Sequence, residues 1–275
     1  MVGFNLQTSG VSVLLESGER IAAAALIGAD GVYSNVRSRI VNDGDPLPVG
    51  AIIFRATIPA AAMPRALQRA YPTFWAGPGW HIIYYPISDW SMFNLGCTVL
   101  NGQDTLSEPE DFVAEAILPY FTDAHDIPRR VLRIPKSFRR FVIVHREPVD
   151  NWSLGPATLL GDAAHPMVQY IAQGAAMALE DAICLGHAAN ECDGDFAQAF
   201  LRYQDIRIVR TAPSANIIVD DGQAQSRQGH RAKGAQLTLR GSHVRSVLRS
   251  PGLVIHPTGI RKMKNPVADR PSSAM

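Results

Sequence analysis

Chemistry-bearing residues in this chain concentrate in three short stretches. The longest is residues 159–181, LLGDAAHPMVQYIAQGAAMALED. The apolar run ATLL (157–160) ends there and reads as a buried strand. Gly161 and Asp162 follow where that strand must stop, and a loop with Pro166 and Gln169 comes next. Gln173, Gly174 and Ala175 then open the small-residue segment AAMALEDAICLG, which reads as a helix. Strand, loop and helix in this order form a ligand site at the carboxyl end of a sheet strand. A carboxylate at Asp162 accepts hydrogen bonds from ligand hydroxyls. The helix start near Gly174 offers free amides and a positive dipole end, which suit an anion or an electron-rich ring. Gly-Asp is also an ordinary turn and Asp an ordinary cap, so the dipeptide alone leaves both readings open.

The second stretch is GADGVYSNVR, residues 28–37, with Asp30, Gly31, Ser34 and Arg37. The run RIAAAALI (20–27) reads as a strand that leaves through this Gly-rich turn into a helix capped by Ser34. Arg37, one helical turn past Ser34, suits a pyrophosphate. The third stretch, WHIIYYPI (80–87), is a strand whose alternation puts His81, Ile83 and Tyr85 on one face. A histidine there is a core residue bonded to a carbonyl, a surface residue, or a ligand contact.

These stretches need a scaffold, and the chain is long enough to bury one large or two modest cores. Its 47% hydrophobic and 19% charged residues are those of a globular protein. No apolar run reaches the roughly 18 residues of a membrane span, and no charged n-region with an apolar core opens the chain. Cys97, Cys184 and Cys192 are too few and scattered for a disulfide framework or a zinc site, so no metal and a reducing, cytoplasmic location are expected. The net charge of +1 hides an asymmetry. From Gly222 to Met275 ten Lys or Arg stand against Asp269 alone, which leaves −8 on residues 1–221. That basic tail has no aromatic residue to stack on bases, so neither nucleic acid nor membrane is an expected partner.

Residues 10–16 alternate as a strand that turns at 17–19. NDGDPLP (42–48) marks a boundary, and strands follow at 51–58, 80–87 and 92–99. Residues 108–121 read as a helix with Pro109 in its first turn, 139–149 as a strand, and 195–212 as an amphipathic helix.

The stretch GDAAHPMVQYIAQGA resembles the second flavin-binding motif of the single-component, FAD-dependent aromatic hydroxylases, the p-hydroxybenzoate and salicylate hydroxylase group. Its form resembles that of the 3-hydroxybenzoate 6-hydroxylases, and GADGVYSNVR is similar to another motif of the same family. The resemblance implies an α/β (α+β) fold: an incomplete FAD-binding domain of the p-hydroxybenzoate hydroxylase type, with a mainly antiparallel-sheet substrate domain. It divides the chain into FAD-domain portions at 1–45 and 149–212, a substrate-domain sheet at 46–148, and a disordered basic tail at 213–275. It implies FAD as cofactor, NADH or NADPH as co-substrate, O2, a small phenolic aromatic acid, and a homodimer as an assembly the family allows. Asp30, Gly31, Ser34, Arg37, Gly161, Asp162, Pro166, Gln173, Gly174 and Ala175 would hold FAD. His81 and Gln169 would contact the substrate's phenolic hydroxyl, with Tyr85 close by.

Two departures qualify the resemblance. The family's opening βαβ unit carries Gly-x-Gly-x-x-Gly, and no such sequence occurs in these residues. After Arg210-Thr211-Ala212 the sequence loses its periodicity and is rich in Arg, Gly, Ser and Gln. The expectation is a truncated or frameshifted relative, similar to the family over about residues 5–212, for which an inactive fragment that does not retain FAD is the alternative.

Overall fold

A computed structural model describes residues 1–100, 108–168 and 173–211 and two short strands near the C-terminus. The chain divides into two compact units, Met1–Val49 with Val144–Gln225 and Gly50–Ile143 with Ser226–Met275.

In the first unit, β1 (Gly3–Gln7), β2 (Gly10–Leu14) and β3 (Arg20–Ala23) form an antiparallel meander. A second sheet has the order β11 (Ser153–Leu154), β12 (Ala157–Leu159), β4 (Leu26–Gly28), and β12 runs parallel to β4. Among the described residues this unit has three helices: α1 (Asn35–Ile40), α4 (Gly174–Glu191) and α5, residues 196–211. Val36, Trp152, Leu159, Leu185, Phe200 and Tyr203 share its core.

The single strand expected over 20–27 is divided. The chain bends at Ala24, so Arg20–Ala23 pairs with β2 while Leu26 donates its amide to Pro156 O in the other sheet. Alanines present no bulky branch that would commit the run to one sheet, so pairing partners decide where it breaks.

The second unit is a six-stranded sheet of order β6-β7-β8-β5-β10-β9. Its strands are β5 (Leu47–Pro59), β6 (Thr73–Gly77), β7 (Trp80–Ile87), β8 (Met92–Leu100), β9 (Glu110–Val113) and β10 (Ser137–His145). The helix expected over 108–121 is largely replaced. Glu110–Val113 is a strand against β10, and only Ala114–Ile117 (α2) and a 3₁₀ turn at Leu118–Phe121 are helical. Phe112 accounts for the change: its ring packs edge-on against Phe54 and under Arg140 while its backbone stands opposite Phe138 of β10. With α3 (Asp126–Leu132), these turns cover one sheet face through Ile117, Phe121, Val131 and Leu132.

Burial alternates along β7. Trp80, Ile82 and Tyr84 face that core, while His81, Ile83 and Tyr85 lie half-buried on the opposite face. Strands β13 (Leu253–His256) and β14 (Gly259–Lys262) pair as a hairpin. The rest of the basic tail lies outside the described residues, as do 101–107 and 169–172.

Candidate flavin and substrate sites

Strand β12 stops because Gly161 takes φ +62°, a left-handed conformation that L side chains resist. The turn Gly161–Ala163 follows, and Ala164 and His165 both donate amides to Gly161 O at 2.9 Å. A Cβ on Gly161 would stand 3.1 Å from Ala178 Cβ of α4, so strand end and helix meet at close range. Gly161, Ala163, Ala164, His165 and Pro166 are buried, and Asp162 alone of this run is exposed. Its Oδ1 lies 3.7 Å from the place a Gly174 Cβ would occupy, which puts the carboxylate at the start of α4. Gln173 sits at the N-cap position without a side-chain cap bond, and Ala175 is exposed in the first turn. The loop thus presents one outward acceptor beside uncapped helical amides. That donor and acceptor set fits the hydroxyls and polar ring edge of a flavin. Gln169 lies outside the described residues.

A buried carboxylate holds this loop. Asp181 of α4, fully buried, accepts from Gly161 N at 3.0 Å, from His165 Nε2 at 2.6 Å and from Arg207 Nε of α5 at 2.6 Å. Arg207 continues to Glu180 Oε2 at 2.9 Å and to Met177 O at 3.2 Å. Burial pushes the Asp181 carboxyl up. His165, through its hydrogen bond and charge, then Arg207 and the Gly161 amide outweigh that and leave it below its ordinary value. Gly161 and His165 bracket Asp162, so one carboxylate fixes both ends of the segment that presents it.

The GADG stretch forms the expected turn into a helix capped by Ser34, while Arg37 is engaged within the protein. Asp30 accepts from the Ser34 hydroxyl and from Asn35 N at 2.8 Å, and Ser34 Oγ caps α1 through Arg37 N at 2.8 Å. Both side chains therefore serve the helix start. Gly31, at φ +77° with open space where a Cβ would be, makes the turn. Arg37 is fully buried. Its guanidinium binds both oxygens of Asp43, Glu147 O at 3.2 Å, and Ala163 O and Ala164 O at 3.0 and 2.7 Å. These contacts use all five of its donors. Instead of the expected pyrophosphate contact, Arg37 ties α1 to the far side of the Gly-Asp loop. Arg146, also buried, grips Asp43 Oδ1 at 3.0 Å together with Val32 O and Gly44 O. Burial raises the Asp43 carboxyl, but the two guanidiniums bring it below its ordinary value.

In the other unit, His81 stacks on Phe74 of β6 with ring centroids 5.2 Å apart. Burial pulls its pKa down to about 4, so the imidazole is neutral at neutral pH. Tyr85 lies two residues beyond Ile83 on the same face, at Cα register with Asn94 of β8.

Sequence reasoning missed Asp181, His165, Arg207, Asp43 and Arg146. A signal existed for one of them. Asp181 is an acid inside a run of small apolar helix residues, a placement that demands a partner.

Comparison with known proteins bears on the family and the fold. The model of a family described as "FAD binding domain" matches residues 5–201. A 3-hydroxybenzoate 6-hydroxylase of Klebsiella oxytoca is 44% identical over 202 residues, which cover 74% of this chain and 51% of that protein. The 3-hydroxybenzoate 6-hydroxylase 2 of Aquipseudomonas alcaligenes is 38% identical over 232 residues, covering 84% and 71%. Among solved structures, a salicylate hydroxylase substrate complex superposes with a TM-score of 0.68 at 20% identity, covering 81% of this chain and 60% of that one. HpxO of Klebsiella pneumoniae, complexed with FAD and uric acid, gives 0.69 at 22%, covering 82% and 59%. The chain spans about half the length of the Klebsiella oxytoca relative.

Proposed function

Since this chain belongs to the FAD-binding-domain family of flavoprotein aromatic hydroxylases, we propose that it serves FAD-dependent hydroxylation of a phenolic aromatic acid, 3-hydroxybenzoate-like or salicylate-like, with NADH or NADPH and O2. The observation that carries the reading is Asp162, the one exposed side chain of the buried, clamped segment 161–166 beside a helix start. Bound flavin, reduced by the nicotinamide, supplies the O2-derived electrophile. The protein's part is to bind, orient and manage a proton.

Asp162 and the free amides at the start of α4 would hold the flavin, the carboxylate as an acceptor for its hydroxyls and the amides as donors to its polar groups. Gly161, Pro166, Gln173, Gly174 and Ala175 shape that turn, while Asp30, Gly31, Ser34 and Arg37 hold the helix and loop that carry it. The neutral His81 ring accepts the phenolic O–H of the substrate at a ring nitrogen. As the ring gives up electron density to oxygen, the phenol becomes more acidic and this hydrogen bond strengthens. Such a bond lowers the barrier more than it tightens ground-state binding. Tyr85 adds a second hydroxyl on the same face, and Gln169 is assigned to the same phenol.

Arg37 has no donor left for a pyrophosphate, so the phosphates must find other donors. The test is therefore run at saturating FAD. His81→Ala and Gln169→Ala should each lower dihydroxybenzoate formed per NAD(P)H consumed by roughly thirty- to a thousand-fold, with flavin occupancy unchanged and hydrogen peroxide released instead. Normal coupling in both variants would remove these residues from the active site.

A further inference from the structure

Strands β5, β6, β7 and β8 contain a single Asp, Glu, Lys or Arg, which is Arg55 of β5. The register places it. His81 and Ile83 of β7 stand opposite Thr98 and Gly96 of β8, and these stand opposite Ile53 and Arg55 of β5. Directly opposed residues share a face, so Arg55 lies on the His81 face, away from the helix-covered core. Between Ile83 and Arg55 the face has no side chain at all, because the intervening residue is Gly96. A Cβ there would touch Ile83 at 3.4 Å and Ile53 at 3.6 Å, so the backbone forms a shallow floor with apolar walls.

Arg55 is exposed, and no carboxylate lies within ion-pair distance of it among the described residues. Its hydrogen bond to Asn94 Oδ1 is long at 3.5 Å. The opposite end of the floor carries no charge, because His81 is neutral at neutral pH. Two strand spacings separate the β7 and β5 backbones by about 10 Å. An arginine and an imidazole reaching in from the two sides leave room between them for a single aromatic ring and its substituents.

We propose that Arg55 is the specificity-determining residue of this face, binding the carboxylate of an aromatic acid that lies over Gly96 with its phenolic end at His81. The inference rests on the aromatic-acid reading given above and adds to it the residue that recognises the acid group. A guanidinium matches a carboxylate with two parallel hydrogen bonds, which an uncharged amide cannot reproduce.

The test uses the 275-residue chain with two probes of nearly the same shape, 3-hydroxybenzoate and the neutral 3-hydroxybenzamide, and measures their binding by titration calorimetry or ligand-observed NMR. The wild type should prefer the carboxylate by about tenfold to a hundredfold, a preference that weakens as salt is raised. Arg55→Gln should abolish that preference and leave amide binding within about twofold, while Arg55→Lys restores part of it. His81→Ala should weaken both probes alike. A carboxylate preference that survives Arg55→Gln overturns the assignment to Arg55 and leaves the phenol reading standing. If neither probe binds the wild type, both readings fall.

Discussion

At the scale of single residues, the flavin loop depends on groups that touch no ligand. Asp181 has no solvent contact and three hydrogen-bond donors, and Arg207 is the one permanent charge among them. Removing that partner strands a buried carboxylate, which costs about 3–5 kcal/mol. Arg207→Met should therefore lower the urea midpoint of the unit that holds it and speed amide exchange at Gly161 and His165. Arg202→Met, which removes an exposed pair with Glu191, should change stability by less than about 1 kcal/mol. His81 supplies a second prediction, with its sign fixed by burial. Its pKa is about 4 in the folded chain against an ordinary 6.5. Between those values the unfolded chain binds the extra proton, so stability is full above about pH 6.5 and falls as pH drops toward 4. Urea melts at pH 7 and pH 4.5 check this. His81→Gln should show a smaller loss over that interval than the wild type, and an equal loss would mean His81 is not the group responsible.

At the scale of elements, what the sequence made legible was periodicity, and what it hid was pairing. The alternation in WHIIYYPI put His81, Ile83 and Tyr85 on one face, and burial along β7 follows it. The Gly-Asp stretch read correctly as strand, turn and helix, because Gly161 and the small residues of α4 are local signals. The strand at 110–113 was not legible. EPEDFVAEAILPYF has a helical composition, and only the distant Phe54 and the β10 register turn Phe112 into a strand residue. Arg37 shows the same limit for function: its type and spacing suited a phosphate, but Asp43 and the carbonyls of 163 and 164 claim it from elsewhere in the chain. The strand-to-helix turn at Gly161 is itself testable. Gly161→Ala must accept a positive φ and a contact with Ala178, so it should cost about 2 kcal/mol in a urea melt with an unchanged m value. A neutral result would mean the turn relaxes, and the account of Asp162 being rigidly presented would weaken with it.

At the scale of the molecule, the two units carry different parts of the chemistry. Asp162, its clamp and the α1 tether belong to the unit built from Met1–Val49 and Val144–Gln225, and His81, Tyr85 and Arg55 to the unit that begins at Gly50. The flavin assignment therefore stands or falls on the first unit alone, independent of any substrate. An equilibrium titration of the 275-residue chain with FAD, followed by flavin fluorescence, tests it most directly when the wild type is compared with Asp162→Asn. Asparagine keeps the size of the side chain and removes the charge that strengthens its hydrogen bonds. The account predicts saturable quenching by the wild type and affinity at least about tenfold weaker in Asp162→Asn, with thermal stability unchanged because Asp162 is exposed. Identical titrations for the two proteins, or no saturable binding by the wild type, would contradict the claim that this loop receives the flavin.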